Sequence, residues 1–184
     1  MNNILFNTDS YKLSHPWQYP KGTDYMFSYV ESRGGISQRV MFFGLQYILK
    51  EYLCKPFSFD DVNEADEFYK AHGLPFHKAG FISILEKHGG YFPIRIRAVP
   101  EGALIPTNNV LMTIESLDPD SFWCVGFLET LLMRIWYPIT VATISYGVKQ
   151  KVRQYMEECS DNLDDLPFKL HDFGSRGVSS MELS

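Results

Sequence analysis

The chain has 184 residues, 17 of them basic and 22 acidic, for a formal net charge of −5. That length can bury one core, or one and a half, and the charge excludes a basic field built to wrap nucleic acid. Aromatic residues make up 15%, so many rings must lie in a core or at an interface.

The first 33 residues carry Pro16, Pro20 and Gly22 and no helical periodicity, which predicts a loop with one strand, residues 25–31. Phe42, Leu45, Leu49 and Leu53 recur at three- and four-residue steps, predicting an amphipathic helix over 39–53. Asp60 or Asp61 opens a second helix with the stripe Val62, Ala65 and Tyr69 and a stop at Gly73. A third helix is predicted over 78–88, closed by Gly89 and Gly90. Ile94, Ile96 and Ala98 alternate with Arg95, Arg97 and Val99 as in a strand with one wet face. Two more short strands are expected at 103–105 and 110–115, giving a small antiparallel sheet. Residues 118–136 read as one buried helix broken by Pro138, and 140–159 as a long helix with Val141, Ile144, Val148, Val152 and Tyr155 on one face. A solvated connection at 161–165 follows.

Three scattered cysteines, Cys54, Cys124 and Cys159, form no Cys-x-x-Cys pair, which fits a reducing cytosol and no disulfide or zinc frame. The apolar run 122–136 is interrupted by Glu129 and Arg134 and is too short to span a bilayer. The N-terminus lacks the basic region and apolar run of a signal peptide. A soluble, cytoplasmic chain with no membrane partner is therefore expected.

Residues 168–180 hold the densest chemistry. Phe168, Leu170 and Asp172 alternate with Lys169 and His171 as in a short strand, and Gly174 and Gly177 bracket a loop. Ser179 and Glu182 have capping-box spacing, so a helix is expected to start there, with its free N–H groups turned to an anion. Arg176 adds a planar fork suited to phosphate or carboxylate. Two readings stand: a small anionic-ligand site, or an ordinary strand-to-helix turn with a paired arginine. At the other end, Asp9 and Tyr11 project the same way if the backbone is extended, although on spacing alone an arm whose Tyr11 packs on the body is the favoured reading. Arg33, beside Gly34 and Gly35, is a second anion ligand or a solvated turn residue. His15, His72, His77, His88 and His171 lack metal-ligand spacing, and no nucleophile elbow, Walker loop or dinucleotide fingerprint occurs.

Five segments together resemble the nicotinamide phosphoribosyltransferase family. They are Thr-Asp-Ser-Tyr-Lys at 8–12 with Gln-Tyr-Pro at 18–20, Phe-Gly-Leu-Gln-Tyr-Ile-Leu at 43–49, Ala-Val-Pro-Glu-Gly at 98–102, Trp-Tyr-Pro-Ile-Thr-Val-Ala-Thr at 136–143, and Leu-His-Asp-Phe-Gly-x-Arg-Gly-Val-Ser-Ser at 170–180. The resemblance runs from Asn3 to Ser184 in order. It implies an α/β fold: an α+β domain with a mainly antiparallel sheet over 1–160, then the beginning of a truncated α/β barrel over 161–184, as in type II phosphoribosyltransferases. It implies synthesis of nicotinamide mononucleotide from nicotinamide and phosphoribosyl pyrophosphate. Nicotinate as the substrate, or an inactive fragment serving as a dimerisation module, are the alternatives.

By the same resemblance Phe173 stacks on one face of the nicotinamide ring and Tyr11 of a second subunit on the other, so a homodimer with shared sites is expected. Arg176 meets phosphate or diphosphate of the ribose donor. Asp9 and Arg33 are offered across the dimer interface, and His171 and Phe168 line the pocket and its tunnel. Mg²⁺ carried in with the donor and ATP as a coupling nucleotide belong to the same expectation. Family members are considerably longer, and no catalytic residue is assigned within these 184 positions. Ser175 stands where relatives often carry an aromatic.

Overall fold

The computed structural model describes residues 3–178. The capping box expected at Ser179 and Glu182 lies outside them. Among the described residues the strands are β1 (Phe27–Glu31), β2 (Arg39–Met41), β3 (Ile94–Ala98), β4 (Leu104–Pro106) and β5 (Val110–Ser116). The α-helices are α1 (Leu45–Ile48), α2 (Phe59–Ala71), α3 (Lys78–His88), α4 (Cys124–Phe127), α5 (Glu129–Met133) and α6 (Trp136–Cys159). The fold is mixed α/β. It divides into two compact units, both discontinuous in sequence. The first takes the chain up to Glu31, Leu45–Val99 and Val110–Arg134; the second takes Ser32–Gly44, Pro100–Asn109 and the chain from Ile135 onward.

In the first unit the sheet runs β1-β5-β3, wholly antiparallel, with Phe27 opposite Glu115 and Ile96 opposite Ile114. One face is buried through Met112 and Ile114, while Phe27, Tyr29, Arg95 and Arg97 are exposed, as period-2 alternation requires. Helix α2 begins where Ser58 Oγ accepts the Asp61 N–H and Asp61 Oδ2 accepts the Ser58 N–H at 2.7 Å, a reciprocal cap that satisfies two otherwise orphaned donors. Its buried stripe is the expected Val62, Ala65 and Tyr69. Helix α3 ends at Gly89, whose φ of 62° is the left-handed turn that closes a helix. Phe81 is the hub of this unit's core, meeting Trp123 edge-on at 4.8 Å and Phe127 at 5.1 Å. Burying such a ring stabilises by about 1.5–3 kcal/mol.

The expected helix over 118–136 is buried as predicted but cut into pieces. A 3-10 turn at Pro119–Ser121 precedes α4 and α5, which bury Cys124, Val125, Phe127, Leu131 and Leu132. The N-terminal stretch read as loop is partly helical: a 3-10 helix spans Ser10–Trp17.

In the second unit β2 and β4 pair antiparallel, Met41 opposite Leu104. The helix expected from residue 39 is therefore corrected: its first three residues are a strand. The Met41 N–H donates to Thr143 Oγ1 of α6 at 2.9 Å, tying the ribbon to that helix. Pro138 does not break a helix but sits in the first turn of α6, where its missing N–H leaves no bond unmade. The predicted apolar face of α6 is largely wet, with Ile144, Val148 and Tyr155 exposed. No strand forms at 168–172. A 3-10 turn at Leu166–Phe168, with Leu166 buried, leads instead into an irregular stretch and a second turn at Gly174–Arg176. The short strand expected there is thus not formed among the described residues. No single helix among them is long and apolar enough to cross a membrane.

Candidate functional site

The first unit holds Asp9 and Tyr11. The segment containing them is pinned to the α4–α5 junction by three side chains in turn. Thr8 Oγ1 donates to the Phe127 carbonyl at 2.9 Å. The Thr130 hydroxyl donates to Asp9 Oδ2 at 2.6 Å and accepts the Asp9 N–H at 3.2 Å. Lys12 Nζ forms an ion pair with Glu129 Oε2. Burial alone would push the Lys12 ammonium down, but the hydrogen bond and charge of Glu129 outweigh it and hold the group above its ordinary value. Tyr11, between these anchors, is 56% exposed, with its ring edge-on to His15 at 5.3 Å.

Behind it His15 meets Tyr19, and Tyr19 meets Phe122 at 5.3 Å. A Cβ on Gly126 would stand 2.7 Å from the Tyr19 hydroxyl, so this ring needs a glycine in α4. Burial holds the Tyr19 phenol above its usual range, so it stays protonated near neutrality.

The second unit holds Arg33, Phe168, His171, Phe173 and Arg176, all exposed. Asp172 Oδ1 accepts the Gly174 N–H at 2.6 Å, an Asx turn that folds the chain back at Phe173. The Gly177 N–H closes the next turn on the Gly174 carbonyl at 2.8 Å. A Cβ on Gly174 would stand 2.8 Å from Asp172 Oδ1, so the turn depends on glycine there. It leaves Phe173 75% exposed, three residues before Arg176. Neither Arg176 nor Arg33 makes an ion pair among the described residues, and the fork of each is free to meet an anion. No group of three or more His, Cys, Asp or Glu among the described residues could hold a metal ion.

Both expected groups thus present bare aromatic rings, each beside charged side chains. What sequence reasoning missed is the Lys12–Glu129–Thr130 support beneath the N-terminal motif. Those partners lie more than a hundred residues apart, and no local periodicity links them.

The profile of the nicotinamide phosphoribosyltransferase N-terminal domain matches residues 3–96, and the chain belongs to that family. A protein named nicotinamide phosphoribosyltransferase from Xanthomonas campestris pv. campestris is 57% identical over 182 residues, which are 98% of this chain and 39% of that one. One of the same name from Acinetobacter baylyi is 27% identical over 97% of this chain and 39% of its own. Among solved structures, human nicotinic acid phosphoribosyltransferase superposes with a TM-score of 0.48 at 22% identity, over 70% of this chain and 25% of that one. The chain therefore spans about two fifths of the length of the curated relatives it matches.

Proposed function

We propose that this chain supplies the N-terminal part of a cytoplasmic enzyme of NAD salvage that joins nicotinamide to phosphoribosyl pyrophosphate. The observation that carries the proposal is the Asp172–Gly177 turn, which offers an exposed aromatic ring and, three residues on, an arginine with no ion pair among the described residues. That pairing suits an aromatic base and a phosphorylated sugar, and the relatives' names support nicotinamide over nicotinate as the base.

Phe173 stacks on one face of nicotinamide, and Tyr11 of a second copy on the other, so the working form is a homodimer with shared sites. The pyridine nitrogen attacks the anomeric carbon of the donor. The N–C bond forms as the C–O bond to diphosphate breaks, and the bond's electrons leave with pyrophosphate. Positive charge gathers on the sugar and negative charge on the leaving group, so the fixed cation of Arg176 stabilises the transition state more than the ground state. Arg33 of the partner copy meets phosphate, Asp9 is offered from the same arm as Tyr11, and Phe168 and His171 line the approach to the base. Mg²⁺ arrives with the donor and offsets the charge of its diphosphate. ATP would serve as a coupling nucleotide, as the family resemblance implies.

The test is a chimera in which this chain replaces the matching 182 residues of the Xanthomonas relative. Supplied with nicotinamide, phosphoribosyl pyrophosphate and Mg²⁺, with and without ATP, it should form nicotinamide mononucleotide, read by mass spectrometry. A folded chimera that makes no product, or that uses only nicotinate, would overturn the reading.

A further inference from the structure

Lys12 has no part in the roles set out above, yet its position is costly. Its side chain is 6% exposed. A lysine is rarely so buried unless paired, and an apolar residue of similar size would often stabilise as much. The ammonium is held by Glu129, whose own side chain is 55% exposed, and it stands 5.1 Å from the centroid of the Tyr11 ring, over its face. The residues around Tyr11 are each tied to a successive part of the α4–α5 junction: Thr8 to Phe127, Asp9 to Thr130, Lys12 to Glu129. Tyr11 itself remains 56% exposed. The segment is thus fixed at every anchor, while the Tyr11 ring, touched by His15 and Lys12, keeps about half its surface open.

We propose that Lys12, locked in place by Glu129, is a positioning residue for Tyr11: its ammonium lies against one face of the ring and leaves the other face, in a set orientation, for the nicotinamide. This inference rests on the proposed reading of Tyr11 as a ring that stacks on the base. A long side chain with two free torsions loses affinity if it must be ordered at each binding event, and a cation held over one face removes that freedom in advance. Glu129 keeps the ammonium from turning out to water, so the pair acts as one unit.

The experiment is a double-mutant cycle in the nicotinamide mononucleotide-forming chimera, with kcat and both KM values measured for each variant. Tyr11→Ala should raise the KM for nicotinamide roughly tenfold, within the range of a lost base stack. Lys12→Met should raise the same KM several-fold while leaving the KM for phosphoribosyl pyrophosphate unchanged, and Lys12→Arg should recover most of the loss. The double variant should be no worse than Tyr11→Ala alone, because Lys12 acts through that ring. If Lys12→Met fails to fold, Lys12→Met with Glu129→Met removes both charges of the pair together, and the nicotinamide KM should still rise. An unchanged nicotinamide KM in every folded Lys12 variant, an equal rise in both KM values, or effects that multiply in full in the double variant would overturn the inference alone. An unchanged KM in Tyr11→Ala would overturn the stacking reading and the inference with it.

Discussion

Asp118 shows how much one carboxylate can tie together. Its Oδ2 meets His88 Nε2 at 2.7 Å, and its Oδ1 accepts the Asp120 N–H at 2.9 Å, so the end of α3 is fastened to the turn before α4. Burial alone would raise this carboxyl, but the bonds from His88 and the Asp120 N–H, with the Lys87 charge, hold it below its ordinary range. A depressed carboxylate contributes stability above its unfolded value, and that contribution is lost as pH falls through the folded one. Urea midpoints should therefore drop on acidification more steeply for the native chain than for Asp118→Asn. Parallel pH curves for the two would contradict the assignment. At the candidate site the proposed clamp rests on the exposed rings of Phe173 and Tyr11. In a complete enzyme, Phe173→Ala or Tyr11→Ala should each weaken nicotinamide binding by about 1–3 kcal/mol, as a lost base stack does. Calorimetry showing native affinity in both variants would dismiss the aromatic clamp. The stacking role of both rings was legible only through the family motifs, since spacing alone favoured a packed arm for Tyr11 and left the Phe173 segment open between an anion site and a plain turn.

Among the elements, α2 stood out by its stripe and α3 by its glycine stop, although α2 starts earlier than Asp60 or Asp61 suggested, at the Ser58 cap, and α3 has no side-chain cap at its start. The antiparallel sheet was readable in part: its strands alternate where one face is wet, but the strand expected at 103–105 leaves that sheet for β2, and β1 takes the free side of β5. The failures share a cause: long-range pairing decided what local pattern could not. Residues 39–41 have helical neighbours in sequence but a strand partner in Leu104–Pro106. Residues 168–172 alternate as a strand does, but the ladder they would need is not formed, and Pro167 with the Asx turn at Asp172 curls the chain instead. The junction after β2 depends on Gly44. Its φ is 99°, and a Cβ there would stand 2.5 Å from Pro138 Cγ. Gly44→Ala should accordingly destabilise the second unit by about 1–3 kcal/mol, combining backbone strain with a clash. A thermal midpoint equal to that of the native chain would show that Pro138 yields freely.

For the whole molecule, the proposed site draws on two copies of the chain. The N-terminal motif is held rigidly on α4 and α5 with Tyr11 turned outward, and the 168–177 stretch presents Phe173 and Arg176. In the proposed reading each set is half of what an aromatic base and its sugar donor require. Mixing defective copies tests that division most directly. Complete enzymes carrying Tyr11→Ala and Arg176→Ala, each impaired as a homodimer, would be combined under conditions that exchange subunits. A two-fold dimer then places one intact site and one doubly defective site in each mixed pair. With random exchange, nicotinamide mononucleotide formation should return to about a quarter of the native rate, since half the dimers are mixed and half their sites are whole. A mixture that exchanges subunits but stays at the level of its parents would mean that Tyr11 and Arg176 serve the same copy, and the shared site would be wrong.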